Sequence, residues 1–169
     1  MKVNRFLLLA PILLGVFFIG LRSNSKTNIP ETTVSIESCH DGDTCRSTTG
    51  ERIRFACIDA PELKQAYGEA SRDYLRSILK NQPVRIDRMN VDRYGRTIAI
   101  LYIPDGKEWR AVQWLQTRAG TVWAFDRFKK DCPIWNSIER KANEARSKRI
   151  GLFSDGQAIE PWEWRKRNR

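Results

Sequence analysis

Between Val34 and Ile58 two runs, "VSIESCH" and "GERIRFACI", alternate apolar and polar residues on either side of turn signals. "VSIESCH" predicts a strand, "DGDT" an Asp-Gly turn, and "GERIRFACI" a further strand after a Gly turn, giving strand, hairpin, strand, turn, strand. A period of two sustained over this length demands a sheet with one apolar face, because successive side chains point to opposite sides. The period then changes. In "YGEASRDYLRSILKN", Ala70, Tyr74 and Ile78 recur every four residues with Leu75 and Leu79 beside them, which predicts an amphipathic helix ending near Asn81. "PVRIDRM" and "RTIAILYI" read as two more strands around a "DRYGR" connection.

The final third is helical in pattern. "RAVQWLQTRAG" places Val112, Leu115 and Ala119 on one face before a Gly stop. "DCPIWNSIERKANEARSKRIG" has Asp131 as a cap candidate, Pro133 in a first-turn position, and Ile134, Ile138, Ala142 and Ala145 at helical spacing. Five strands with one helix between the third and fourth predict a mainly β fold with α. The expected architecture is a five-stranded oligonucleotide-binding (OB) barrel with about three helices.

The start of the chain has a different character. Lys2 and Arg5 precede the uncharged run "FLLLAPILLGVFFIGL", Phe6 to Leu21, which has the pattern of an export signal. The run falls slightly short of the ~20 residues of a spanning helix. The sequence allows residues 1–22 to be either a cleaved signal peptide or a retained N-terminal membrane anchor. Residues 23–33, "SNSKTNIPETT", read as a linker, residues 34–155 as the folded domain, and residues 156–169 as a basic, Trp-containing tail. The folded part is expected to be exported, either secreted or held at the membrane by residues 6–21, and to act as a monomer.

Cys39, Cys45, Cys57 and Cys132 are an even set in a chain expected to leave the cytoplasm, so disulfides are allowed, with three connectivities. Cys39 and Cys45 flank Gly42 symmetrically, and a hairpin there would set them opposite each other. Cys57 lies in an apolar run and reads as a small buried hydrophobe. With 41% hydrophobic residues the 169-residue chain can bury a core and is not compositionally disordered. Its net charge of +10 favours a polyanionic partner, either nucleic acid or an anionic membrane surface.

Taken singly, "DGDT", "IDAPE" and "DRYGRT" are turn sequences. Taken together they supply a chemical set. Asp43 and Asp59 are hard oxygen donors at the ends of neighbouring strands, suited to a cation such as calcium. Glu62, three residues on past a stiffening proline, is placed to hold a water. Arg54, inside a strand, and Arg96, after the "DRYGR" turn, offer planar donor forks suited to phosphate. Phosphodiester hydrolysis needs a deprotonated water and neutralisation of the added charge on phosphorus.

In the ordered set "DGDT", "RFACIDAPE", "YGEAS" and "DRYGR" the chain resembles the staphylococcal nuclease-like (thermonuclease) domain family, from about Val34 to Phe153. The resemblance implies an OB barrel with helices and a calcium-dependent endonuclease acting on single-stranded DNA and RNA and, less readily, on duplex DNA. It further implies that Asp43 and Asp59 bind calcium by carboxylate and Ala60 by its main-chain carbonyl. Arg54 and Arg96 would contact the scissile phosphate, and Glu62 would orient or deprotonate the attacking water.

The chain departs from the family pattern in three places. Ala60 stands where the family has threonine. The segment "ELKQAY", Glu62 to Tyr67, is several residues shorter than in the secreted staphylococcal enzyme. Two tyrosines of the nucleotide pocket fall at Trp123 and Phe125, which keeps stacking on a base but loses hydroxyl hydrogen bonds; the alternative is that both simply pack in the core. Tyr94 is expected to keep a hydroxyl on the phosphate side. His40 reads as a solvated neighbour of the site, and the tail is expected to dock through Trp162 and Trp164 with a solvated end, the alternative being contact of Arg165 to Arg169 with nucleic acid or anionic lipid. The competing reading is a catalytically inactive OB module that binds nucleic acid outside the cytoplasm. A surface adaptor bound to membrane leaves the acidic cluster unexplained.

Overall fold

The computed structural model describes residues 33–154 and 156–168; the expected signal or anchor segment and residues 23–32 of the linker lie outside the described residues. Among the described residues no helix is long and apolar enough to cross a membrane. Barrel closure depends on one short stretch. β1 (Thr33–Val34) and β2 (Ile36–Cys39) are separated by Ser35 alone, yet β1 pairs with β6 (Val84–Val91) and β2 with β3 (Thr44–Ser47). β3 pairs with β4 (Arg52–Phe55), β4 runs parallel to β7 (Thr97–Asp105), and β7 returns antiparallel to β6. The order β1-β6-β7-β4-β3-β2 therefore ends on the stretch where it began, and the sheet closes on itself. These are the five expected strands, the first divided by its change of partner. β8 (Glu108–Ala111) adds a hairpin to β7.

Ile53, Phe55, Val84, Ala99 and Leu101, each at most 1% exposed, fill the barrel. α1 (Gly68–Leu79) buries Ser71, Leu75 and Leu79, so its inner face is rotated from the expected Ala70–Tyr74–Ile78 row; Ala70 is exposed. The reason lies in the DGDT turn. A Cβ on Gly42 would collide with the Ser71 side chain and with the Ala60 Cβ. Gly42 does not have the positive φ that its place in an Asp-Gly turn suggests. It is there to let α1 and the Ala60 segment approach the turn closely.

α2 (Val112–Arg118) also buries a face other than the expected one, with Gln113 and Gln116 inside beside Val112. Gln113 accepts from the Leu101 N–H and donates to the Ala99 carbonyl, while Gln116 donates to the Gly42 carbonyl at 2.5 Å. Both buried amides are held by bonds to backbone groups. α3 (Trp135–Ser147) starts after Pro133 and Ile134, and Asp131 makes no cap bond to it. α4 (Pro161–Arg167), opened by a proline in its first turn, gathers half of the expected tail into a helix.

The decisive irregularity follows β4. "RFACID" reads as one strand, but β4 stops at Phe55 and Cys57 takes the left-handed conformation with φ 71°. A non-glycine residue seldom adopts this conformation. β5 (Ile58–Asp59) then leaves the barrel and pairs with β9 (Trp123–Ala124) in a separate two-stranded sheet. Three bonds hold the bend. The Ala56 N–H donates to the Ala99 carbonyl, the Phe125 N–H donates to the Cys57 carbonyl, and a disulfide joins Cys57 to Cys132. Cys57 is thus a cross-link and not a lone buried thiol. Cys39 and Cys45, register partners across β2 and β3, form the second disulfide, as the hairpin symmetry suggested.

Chain-entropy arithmetic gives the two bridges different weights. The Cys57–Cys132 bridge spans 75 residues and contributes about 4 kcal/mol, whereas the Cys39–Cys45 bridge spans 6 and contributes about 2 kcal/mol. Denaturant unfolding of the two Cys→Ala double variants is expected to show the larger loss for Cys57/Cys132. A larger loss for Cys39/Cys45 would contradict this picture of the bend.

Candidate active site

The bend at Cys57 brings Arg54 and Asp59 together. Five residues apart on a regular strand they would face opposite sides, but the left-handed residue between them turns both to one rim of the barrel. Arg54 Nη2 lies 2.9 Å from Asp59 Oδ1 and 3.1 Å from Asp43 Oδ2. Its Nη1 donates to the carbonyls of Phe55 and Ile58 at 2.7 and 3.0 Å, so the guanidinium is clamped by the chain end that it organises.

Asp43 enters from the β2–β3 turn. Its Oδ2 accepts the Ala60 N–H at 2.6 Å and its Oδ1 accepts the Thr44 hydroxyl at 3.1 Å. Asp43 and Asp59 are only 5% and 2% exposed. Burial pushes the Asp43 carboxyl up from its ordinary 3.8 to about 8, with Asp41 and Asp59 adding to the rise; Arg54 and the Ala60 N–H pull against it. Buried oxygens of Asp43 and Asp59 thus meet at Arg54 Nη2, and for Asp43 burial outweighs that compensation. That donor set suits a hard divalent cation. Among the described residues no three His, Cys, Asp or Glu side chains gather as a cage, so further ligands would be main-chain oxygen or water.

Glu62 sits beyond Pro61 on a loop pinned at two points. A Cβ on Gly68 would run into the Glu62 carbonyl, so glycine there lets the loop fold back on α1. The buried Gln65 accepts the Glu62 N–H at 3.2 Å and donates to the Ile159 carbonyl at 2.6 Å. Arg96 closes the "DRYGR" turn. Asp92 accepts the N–H groups of Tyr94 and Arg96 and bonds the Arg96 guanidinium at 2.7 Å. Burial works against the Asp92 charge, but these bonds from Arg96 and Tyr94 hold its carboxyl below the usual range. Tyr94 is exposed, with Arg93 and Arg96 over its ring at 4.9 and 5.4 Å.

Asp43, Arg54, Asp59, Ala60, Glu62, Tyr94, Arg96 and Phe125 all line a single cleft of about 790 Å³. Trp123 does not join them. It is buried in a second apolar cluster, edge-on to Phe153 at 4.9 Å and to Trp162 at 6.2 Å, where packing alone explains it. Phe125 stacks on Trp162 at 5.2 Å and turns its edge to Phe128, which also lines the cleft and is half exposed.

Sequence reasoning missed Asp92, Phe128, Gln65 and, above all, Arg165. Arg165 reaches from α4 into the acidic side of the cleft, with Nη2 at 2.7 Å from Asp59 Oδ2 and Nη1 at 2.8 Å from Glu62 Oε1. The basic tail showed a charge run, but nothing in it distinguished this arginine from its neighbours.

A closed β-barrel whose rim gathers carboxylates and arginines around one cleft has the build of a barrel nuclease. A family model described as staphylococcal nuclease homologue matches residues 52–155, and the chain belongs to that family. It is 38% identical over 130 residues to an "Uncharacterized endonuclease" of Escherichia coli O157:H7, covering 75% of this chain and 80% of the relative. It is 35% identical over 134 residues to the "Micrococcal nuclease" of Shigella flexneri, covering 75% and 76%. An "Uncharacterized endonuclease" of Haemophilus influenzae is 31% identical over 171 residues, covering 99% of this chain and 89% of the relative.

The raised Asp43 pKa has a consequence for stability. The folded state holds that proton more tightly than the unfolded chain, so the cation-free protein loses stability as pH rises from about 4 to about 8. In the presence of a chelator, Asp43→Asn is expected to melt higher than the native protein at pH 8, with the difference vanishing near pH 4. A variant that melts lower at pH 8 would show that the carboxylate is already well compensated.

Proposed function

We propose that the chain is a calcium-dependent endonuclease that hydrolyses phosphodiester bonds in single-stranded DNA and RNA and, less readily, in duplex DNA. One observation carries the reading: a single guanidinium nitrogen of Arg54 bridges the two buried carboxylates of Asp43 and Asp59, in a cleft that Glu62 and Arg96 also line. Asp43 and Asp59, with the Ala60 carbonyl, are the groups that would hold calcium. When bound, it supplies Lewis-acid neutralisation of the phosphate charge.

The chain's own residues supply the rest. Glu62, a third exposed and at the solvent side of the cleft, accepts the proton of the attacking water. Arg54, fixed through Nη1 to two carbonyls, presents Nη2 to a non-bridging phosphate oxygen. Arg96, aimed by Asp92, meets the phosphate in the same cleft and assists the leaving oxygen. Tyr94, Phe125 and Phe128 give aromatic surface at the cleft for unpaired bases, which favours single strands over duplex. The two disulfides support a working place outside the cytoplasm, where such bonds persist.

The test is cleavage of single-stranded DNA by the purified protein in calcium and in a chelator, with Glu62→Gln alongside. Calcium-dependent cleavage is expected, and Glu62→Gln should lower turnover by about 10²-fold or more while leaving oligonucleotide affinity within about threefold. Binding without cleavage in any metal would instead mark an inactive OB module. Equal losses of affinity and turnover would remove Glu62 from the proton-accepting role.

A further inference from the structure

Among the described cleft residues Arg165 alone comes from the C-terminal side of residues 52–155, the part matched by the family model. Its guanidinium makes three carboxylate contacts, at 2.7 and 3.4 Å to the two oxygens of Asp59 and at 2.8 Å to Glu62. Partial burial works against its charge, yet the bonds it donates to Asp59 and Glu62 raise its pKa above the ordinary arginine value. Asp59 Oδ1 is also taken by Arg54, so both oxygens of this carboxylate are engaged by cations of the chain itself.

The helix that carries Arg165 is attached as an arm. Pro161 starts it, Trp162 packs on Phe125 and Trp123, and Gln65 ties the preceding Ile159 to the Glu62 loop. Its anchor is therefore apolar, whereas its tip is ionic and 37% exposed. Lys166 and Arg167, on the same short helix, face away from the cleft, and Lys166 pairs with Glu163.

We propose that Arg165 is a resident counter-cation of the active site: it neutralises Asp59 and Glu62 in the metal-free enzyme and must leave Asp59 for a divalent cation to bind there. The proposal rests on reading Asp43 and Asp59 as the cation site. A guanidinium in contact with a carboxylate repels any second cation approaching the same oxygens, so metal and α4 compete for Asp59. The competition gives the C-terminal helix control over metal loading. It also frees the Arg165 donors for substrate phosphate once metal is in place.

Calorimetric titration of calcium into the nucleic-acid-free protein tests this, comparing the native chain, Arg165→Gln and Lys166→Gln. Arg165→Gln is expected to bind calcium roughly tenfold more tightly than the native chain. Lys166→Gln, which removes the same charge from the same helix without touching the acids, should stay within about twofold. In the native protein, calcium should also speed amide hydrogen exchange across 161–167. Equal or weaker binding by Arg165→Gln would overturn the proposal while leaving the cation site standing. Absence of calcium binding in all three proteins would overturn the cation-site reading, and the proposal with it.

Discussion

The arrangement depends on one interaction, the Arg54 guanidinium held between Asp43 and Asp59. Two carboxylates at most 5% exposed cannot both stay charged without a cation nearby, and burial alone drives Asp43 towards its neutral form. Arg54 is that cation in the metal-free molecule, and Arg165 is the second. Much of the surrounding structure places or holds these groups. The Gly42 turn lets Ala60 approach Asp43, the Cys57 bend aims Asp59, and the Cys57–Cys132 disulfide secures the bend.

This arrangement trades stability for function. A left-handed cysteine, two buried acids and an arginine in a barrel strand each cost folding free energy. The barrel behind them compensates with ordinary means: Ile53, Phe55, Val84 and Leu101 in close packing, and Gln113 and Gln116 bonded to backbone groups of β7 and the DGDT turn. Carboxylate repulsion at the rim is then available to favour binding of a cation. The net +10 charge of the chain draws a polyanion in.

Much of this was legible in the sequence, and the misses have physical causes. Alternation in "VSIESCH" and "GERIRFACI" located the barrel strands, because a half-buried strand has no other period. The same rule failed at Cys57, where a disulfide 75 residues away in sequence pins a conformation that local preference disfavours. The α1 face was misjudged by one residue because Ser71, a polar residue, packs against a glycine turn that hydrophobic spacing cannot register. Asp43, Arg54, Asp59, Glu62 and Arg96 were readable as a set from residue chemistry, and one cleft holds them all. Trp123 and Phe125, two residues apart, looked equivalent, but β9 ends at Ala124 and only Phe125 turns to the cleft. Arg165 lies 106 residues from Asp59 in a tail rich in arginine and lysine, and no local pattern marks it.

The most direct test of the account is a crystal structure of the protein grown with calcium. One cation is expected about 2.3–2.6 Å from carboxylate oxygens of both Asp43 and Asp59 and from the Ala60 carbonyl, inside the cleft that Glu62 and Arg96 line. Calcium seated elsewhere, with the Asp43–Arg54–Asp59 bridge unchanged at saturating metal, would contradict it.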